Sequence, residues 1–294
     1  MSIQENDNFL QVGTVLHGSY RIEELTSSSE LSHVYLCSHF GKEEHYIIKE
    51  FFPRLLAMRD LDNKTTLCRR PSMKAKFEQM KESFSKEALI LKELSHPHIV
   101  QYFDHFQENG TSYIVMKYCK GSRLDHYVKE GINPDFYKKT VLPLIGALKY
   151  CHRKGVIHRD IKPSNVIINE NGSPTLIDFG SAVSLRESKH KHIVTSNGYS
   201  PIEFYSEKSQ QGSYSDLYSL AATLYYCMNG KPPIDVSERI IVDKLEHVRQ
   251  DKKRVSFFFS QLIMWGLAIS HKKRCPSITL FQIAGYLEHL FHRR

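Results

Sequence analysis

The chain carries the segment HRDIKPSN at His158–Asn165 and, a short distance further on, the triplet DFG at Asp178–Gly180. Together they contain the groups that phosphoryl transfer requires: a carboxylate to accept the proton of a positioned hydroxyl, and charges that neutralise the phosphates. Asp160 is the candidate base. Lys162 lies two residues further along the same loop, and we expect it to reach the transferring phosphate.

Two oxygen-bearing side chains complete this pattern. Asn165 offers an amide oxygen and Asp178 a carboxylate, and such ligands suit a hard cation. A turn signal, Asn171-Gly172, separates them and predicts a hairpin that returns the chain to the first loop. We therefore predict a metal site at Asn165 and Asp178.

These motifs resemble the eukaryotic-type protein kinases, and the similarity runs from about 12 to 291. Lys162 resembles the serine/threonine branch, because tyrosine kinases usually carry Ala-Ala-Arg or Arg-Ala-Ala at this place. Three further segments are similar to a proteobacterial subgroup of such kinases: Lys49–Pro53, Gly198–Glu203 and Gln211–Asp216.

The resemblance implies an α+β fold with two lobes, at 12–118 and 119–294, after a tail at 1–11. We expect a small antiparallel lobe of five strands around one main helix, for which apolar spacing favours 77–94. The larger lobe is expected to be mainly helical, and its helical patterns cover roughly 134–154, 214–229, 256–268 and 277–291. The basic stretch 54–76 is predicted as an irregular connection, with a docking face for an acidic partner as the alternative.

ATP and Mg²⁺ (or Mn²⁺) are the cofactors that the resemblance implies. Lys49 matches the strand lysine that holds the α- and β-phosphates, and Glu87 matches its ion-pair partner. Met116 falls at the gatekeeper position, with the adenine-binding hinge just after it. The full set of expected nucleotide-binding residues is Leu25, Ser27, Ser29, Ser32, Val34, Ile47, Lys49, Glu87, Met116, Lys117, Cys119, Ile167 and Asp178.

The nucleotide loop departs from the family pattern. Ser27, Ser29 and Ser32 stand where three glycines normally allow close approach to the phosphates. Ile47 replaces the usual alanine that packs on adenine. We expect these changes to weaken nucleotide affinity while the transfer residues remain intact. The alternative function is a pseudokinase, a binding or scaffold module with little or no use of ATP. A small-molecule kinase is a third hypothesis, disfavoured because Pro201–Glu203 and its arginine partner are present.

Several residues are expected to support the site rather than react. The resemblance assigns Thr195 to a hydrogen bond with the catalytic aspartate and lysine, and Glu203 to a buried pair with Arg274. Asp216 is expected to accept bonds from the catalytic-loop backbone. We hypothesise autophosphorylation in the activation segment, 178–203. The candidates are Ser181, Ser184, Ser188, Thr195 and Ser196, near the basic run Lys189–His192.

Composition limits the other function classes. The net charge is +8, and we interpret it as a basic solvated surface, because no nucleic-acid-binding signature accompanies it. Six scattered cysteines without a Cys-x-x-Cys pair predict reduced thiols of a cytosolic compartment. No apolar run reaches the length of a membrane span, and peripheral membrane contact stays open. Protein substrates are the expected partners; the bacterial or a host cytoplasm and the oligomeric state are left undecided.

Overall fold

The computed structural model describes residues 8–133, 135–185, 193–248 and 255–292. In the first part of the chain, buried and partly buried residues alternate along long strands. Tyr35, Cys37, Tyr46 and Ile48 are buried, while the residues between them are only partly covered. Because side chains in a strand alternate between two faces, one face of the sheet forms a core, and along these strands the other face is the more accessible one.

The described residues divide into two compact units. The first comprises the chain up to Glu93 together with Gln101–Tyr118, and the second comprises Leu94–Val100 together with the chain from Cys119 onward. Within the described ranges, no helix is long and apolar enough to cross a membrane.

The first unit contains one main helix and a six-stranded antiparallel sheet. The elements of this unit are β1 Val15–Leu16, β2 Tyr20–Ser28, β3 Ser32–His39, β4 Lys42–Phe51, β5 Ala57–Arg59, β6 Thr66–Cys68, α1 Lys74–Glu93, β7 Tyr102–Glu108 and β8 Thr111–Lys117. The strand order in the sheet is β1-β2-β3-β4-β8-β7. The sequence predicts five of these strands; the sixth is the two-residue strand β1, which is too short to show an alternating pattern.

A tight turn at Asn109-Gly110 joins β7 to β8. Both residues have positive φ, 51° and 74°, and Glu108 pairs with Thr111 across the turn. A Cβ atom at Gly110 would lie 2.5 Å from the carbonyl oxygen of Thr66, so glycine is required there for space as well as for backbone conformation.

The stretch 54–76, predicted to be irregular, contains a second sheet. Strands β5 and β6 pair as a short hairpin, with Ala57 opposite Cys68 and Arg59 opposite Thr66. Each strand has only three residues, and both carry polar or basic side chains, so neither shows a periodic apolar signal.

A buried ion pair joins this hairpin to the main sheet. The guanidinium of Arg59 donates to Glu50 Oε2 at 2.5 Å, and both side chains are almost completely buried. The hydroxyls of Tyr35 and Tyr113 donate to the same carboxylate at 3.0 and 3.1 Å. Arg59 also donates to Thr66 Oγ1 at 2.8 Å. Since every polar atom of the pair has partners, a charge can be held inside the core.

The second unit is mainly helical, and its centre is α4, which is buried along most of its length. Helix α4 packs against α6, and α3 packs against α7. The elements of the second unit are β9 Ser122–Arg123, α2 Leu124–Glu130, a π-helical turn Tyr137–Val141, α3 Leu142–Arg153, β10 Val156–Ile157, β11 Val166–Ile168, β12 Pro174–Leu176, β13 Val183–Ser184, α4 Ser213–Asn229, α5 Val236–Arg239, α6 Phe257–Gly266 and α7 Ile278–Phe291.

Replacing Arg59 by methionine is expected to destabilise the protein by about 3–5 kcal/mol, because the buried carboxylate of Glu50 loses its charge partner. Urea unfolding followed by circular dichroism measures this change. The double variant Arg59→Met/Glu50→Gln removes both charges and should recover part of the loss.

The matched control is Glu78→Gln, which breaks the partly exposed pair with Lys81 on α1. Its expected cost is about 0.5 kcal/mol or less. Equal effects of the Arg59 and Glu78 variants would contradict a structural role for the buried pair.

Candidate active site

The lysine and glutamate predicted to form an ion pair do so in the first unit. The ammonium of Lys49, on β4, donates to the two carboxylate oxygens of Glu87, on α1, at 2.9 and 2.8 Å. Glu87 is 3% exposed, and its charge is stabilised by this close contact. The pair fixes α1 against the accessible face of the sheet.

Register places most of the predicted nucleotide-binding residues of this unit on that same face. Val34 is opposite Lys49, and Ile47 is opposite both Leu36 and Met116. Directly paired residues of an antiparallel sheet point their side chains to one side. Ser27, opposite Val34, continues the row across β2.

The remaining predicted nucleotide-binding residues are distributed over both units. Leu25 is exposed and lies beside a register shift in β2. The exposed Lys117 donates its backbone N–H to the carbonyl of Gln101 at 2.9 Å. Cys119 and Ile167 belong to the second unit, where Ile167 is the partly buried central residue of β11.

The serines of the nucleotide loop form a closed set of hydrogen bonds. The loop connects β2 to β3, and Ser29 Oγ accepts from the amides of Leu31 and Ser32 at 3.3 and 3.1 Å. The amide of Ser29 donates to the carbonyl of Ser32 at 2.8 Å. A serine hydroxyl that satisfies nearby amides stabilises a tight turn without glycine.

Next to this loop lies His33, which the sequence did not single out. Its ring is fully buried between Phe9 and Phe52, each with a ring centroid 4.7 Å away, and its Nδ1 lies 2.8 Å from Ser28 Oγ. Burial, reinforced by nearby arginines, lowers the pKa of His33 from 6.5 to about 3. The imidazole is therefore neutral at physiological pH.

In the second unit, the carboxylate of Asp160, the candidate base, is held by three side chains. Lys162 Nζ lies 2.8 Å from Asp160 Oδ2, and Asn165 Nδ2 donates to the same oxygen at 2.8 Å. The other oxygen, Oδ1, accepts from the hydroxyl of Ser196 at 2.6 Å. Asp160 is thereby fixed in one orientation and kept close to a positive charge.

The hydroxyl that bonds Asp160 and Lys162 is that of Ser196, not of Thr195 as predicted. Lys162 Nζ donates to Ser196 Oγ at 2.9 Å, whereas the neighbouring Thr195 is exposed. The physical reason is a turn: the carbonyl of Ser196 accepts from the amides of Tyr199 and Ser200. The Ser-x-Gly-Tyr-Ser pattern of that turn was the signal for this position in the sequence.

A buried aspartate shapes the catalytic loop, as expected. Asp216 accepts from the amides of His158 and Arg159, both at 2.9 Å, and its side chain is inaccessible to solvent. His152 Nε2 lies 2.8 Å from the same carboxylate. Burial lowers the pKa of His158, whose ring packs edge-on against Phe179 at 4.6 Å. These contacts set the turn that presents Asp160.

The hairpin of β11 and β12 brings the two predicted metal ligands to neighbouring positions. Val166 pairs with Leu176, and the amide of Ile177 donates to the carbonyl of Asn165 at 2.9 Å. Asp178 is the next residue and has a φ of 61°. Since the amide nitrogen of Asn165 binds Asp160, its oxygen is the atom left for a cation. Two such oxygens suit Mg²⁺ or Mn²⁺.

The activation segment ends at a buried ion pair, as expected. Arg274 NH1 and NH2 donate to the Glu203 carboxylate at 2.7 and 3.3 Å, and Ser215 donates to it at 2.9 Å. The sequence did not single out Asp235, which accepts from the amide of Gly198 at 3.0 Å and from the hydroxyl of Tyr205. Ser188, one of the proposed modification sites, and the basic run Lys189–His192 lie outside the described residues.

The sheet with its Lys49–Glu87 pair, and the helical unit with its Asp160 loop, are the two parts of a protein-kinase fold. Comparison with known families agrees, because residues 28–284 match the family described as the protein kinase domain. The chain belongs to this family.

The curated relatives of this chain include bacterial kinases of greater length. A "Probable serine/threonine-protein kinase" of Clostridium perfringens is 31% identical over 225 residues, which cover 72% of this chain and 32% of that protein. Serine/threonine-protein kinase PrkC of Bacillus subtilis is 26% identical, with coverage of 82% and 35%. The matched part spans about a third of each relative.

A solved structure resembles nearly the whole chain. The apo form of PpkA-294 superimposes with a TM-score of 0.79 at 27% sequence identity. The match covers 94% of this chain and 99% of that one.

Replacing Ser196 by alanine is expected to lower kcat for phosphoryl transfer by roughly 10- to 100-fold, because Asp160 and Lys162 lose a shared charge-assisted hydrogen bond. Thr195→Ala, one residue away and exposed, should stay within about twofold of wild type by the same steady-state assay. Ser196→Thr keeps the hydroxyl and should retain most of the activity. The reverse order of the two alanine variants would restore Thr195 to the predicted role.

His33 predicts a pH dependence of stability. The unfolded state binds a proton below pH 6.5 and the folded state does not, so stability is complete above that pH and falls as the pH drops towards 3. His33→Gln removes this term. Between pH 6 and 4, its unfolding free energy should decline less steeply than that of wild type, by up to about 1.4 kcal/mol per pH unit. If urea unfolding gives the same pH dependence of the unfolding free energy for wild type and His33→Gln, the low pKa of His33 is contradicted.

Proposed function

We propose that this chain is a serine/threonine protein kinase, which transfers the γ-phosphoryl group of ATP to hydroxyl groups of protein substrates. The protein kinase family uses ATP and a divalent metal. The observation that carries the proposal is the Asp160 carboxylate, with its three donors, in a loop of HRDIKPSN sequence.

Four polar residues of the second unit have a role in the transfer under this proposal. Asp160 orients the attacking hydroxyl and accepts its proton as the bond to phosphorus forms. Lys162, 2.8 Å from Asp160, provides positive charge beside the transferring group. Asn165 and Asp178 would hold the metal, which supplies charge neutralisation for the phosphate oxygens.

In the first unit, Lys49 binds the α- and β-phosphates, and Glu87 keeps the ammonium in position. The close contact of both carboxylate oxygens with Lys49 supports this assignment, because it holds the ammonium group in one position. We propose Mg²⁺ as the metal, with Mn²⁺ as the alternative, since the oxygen ligands accept both.

We also infer autophosphorylation of the activation segment. Arg159 is buried beside that segment: its guanidinium donates to the carbonyl of Ser181 at 3.3 Å and lies over the ring of Phe204. Ser196 already binds Asp160 and is therefore not the favoured acceptor. The described candidates that remain are Ser181, Ser184 and Thr195.

Two further proposals concern the subgroup of kinases and the cellular location. The proteobacterial subgroup stays a prediction, because the relatives found include proteins of Streptomyces, Clostridium and Bacillus. A cytoplasmic location is our proposal from the free cysteines.

The test is the isosteric variant Asp160→Asn, assayed with wild type, labelled ATP and either Mg²⁺ or Mn²⁺. Wild type should label itself and a generic basic protein on serine or threonine, and Asp160→Asn should lose at least about 100-fold of that rate. Removal of metal by EDTA should abolish labelling. Mass spectrometry of peptides within 178–203 locates the modified residues.

The matched control is Asp125→Asn, which changes an aspartate of α2 in the same way outside the site. It should label like wild type. Equal labelling by wild type and Asp160→Asn, or none by either, would contradict the proposed activity.

A further inference from the structure

The nucleotide loop is the part of the first unit in which side chains replace glycine, and its hydrogen bonds are centred on one hydroxyl. Ser29 Oγ accepts from the amides of Leu31 and Ser32, and its own hydrogen has two acceptors within reach, the carbonyl oxygen of Ser32 at 3.2 Å and Ser32 Oγ at 3.1 Å. A hydroxyl has two acceptor lone pairs and one donor. Ser29 therefore uses its full bonding capacity inside the loop, and we call this set Ser29–Leu31–Ser32 the serine latch.

The serine latch also involves the backbone of Ser29. Its amide donates to the carbonyl of Ser32 at 2.8 Å. Three amides of the loop, at positions 29, 31 and 32, thus already have partners within the loop. Successive amides in a tight turn are the groups that otherwise form an anion-binding concavity.

The outer side of the loop is fastened to the chain that follows β4. The carbonyls of Glu30 and Leu31 accept from the amides of Arg54 and Phe52, both at 2.9 Å. The Arg54 guanidinium donates to Ser28 Oγ at 2.8 Å. The tip is therefore held on both sides, in a closed arrangement.

The loop lies close to the lysine that holds phosphates under the proposed function. Ser32 pairs with Phe51, which is two residues along β4 from Lys49. Two residues of a strand span roughly 7 Å. An anion bound by Lys49 is thus within reach of the loop amides, if those amides were available.

We propose that Ser29 is an affinity-determining residue for the nucleotide, whose hydroxyl competes with the phosphates for the loop amides. This inference rests on the proposed function, because it concerns the same nucleotide site. Phosphate oxygens gain the amides of Leu31 and Ser32 only after those amides leave Ser29 Oγ. The serine latch thereby weakens nucleotide binding without touching the transfer residues.

The test compares Ser29→Ala with Ser29→Thr. Alanine removes the hydroxyl but keeps the Cβ, so the loop gains no glycine-like freedom. Threonine keeps the hydroxyl. In Ser29→Ala, the Kd for ATP and the KM for ATP should fall about three- to tenfold, as expected when one or two competing hydrogen bonds are removed. The kcat should stay within about twofold, and Ser29→Thr should match wild type.

A second measurement does not depend on activity. Amide hydrogen exchange without nucleotide should be faster at Leu31 and Ser32 in Ser29→Ala than in wild type, and unchanged in Ser29→Thr. Ser38→Ala, on β3 and outside the loop, is the control. It should alter neither amide.

The outcomes separate this inference from the proposed function. An unchanged or raised Kd in Ser29→Ala overturns the serine latch as a competitor and makes the hydroxyl a supporting contact. A wild type that labels no better than Asp160→Asn overturns the kinase activity, while the Kd comparison and the exchange rates still decide whether Ser29 occupies the loop amides.

Discussion

The catalytic loop depends on the buried carboxylate of Asp216. Its two oxygens accept from the amides of His158 and Arg159, and Arg159 has a φ of 67°, a conformation that costs free energy for any residue except glycine. Charge-assisted hydrogen bonds offset that cost. Asp216 lies in the first turn of α4, where the helix dipole favours a negative charge. The most buried helix of the second unit thus holds the turn that presents Asp160.

A second buried carboxylate, Glu50, has a comparable effect in the first unit. It is anchored in the core by Arg59, Tyr35 and Tyr113, and it directly follows Lys49 in β4. Because successive side chains of a strand point to opposite faces, fixing Glu50 inside the core directs Lys49 to the accessible face. The same contact brings in the hairpin β5–β6, which the sequence does not reveal. An ion pair that has no part in the proposed transfer thereby orients the lysine that contacts Glu87.

Residues whose roles follow from local spacing were predictable, and residues whose roles follow from turn geometry were not. Asp160, Lys162 and Asn165 share one loop, and the Lys49–Glu87 pair followed from a family pattern. Thr195 and Ser196 are adjacent hydroxyls, and only the turn ending at Ser200 shows which one faces Asp160. The strands β5 and β6 are too short and too polar for a periodic signal. The serines of the nucleotide loop were recognised as unusual, yet the sequence could not show that Ser29 would take up the loop amides.

Under the proposed function, the second unit affects the rate of the transfer step, and the nucleotide loop of the first unit affects the affinity for ATP. The groups around Asp160 act on charge that develops during transfer, and all of them are in place. The serine latch acts on the bound nucleotide before transfer, where contacts alter affinity and leave the rate of the chemical step unchanged. A chain with a complete transfer loop and a self-satisfied nucleotide loop should bind ATP weakly and still transfer phosphate at a normal rate once ATP is bound. Under the proposed function, serines in place of the glycines are compatible with catalysis, because contacts that alter only the affinity for nucleotide leave the chemical step unchanged.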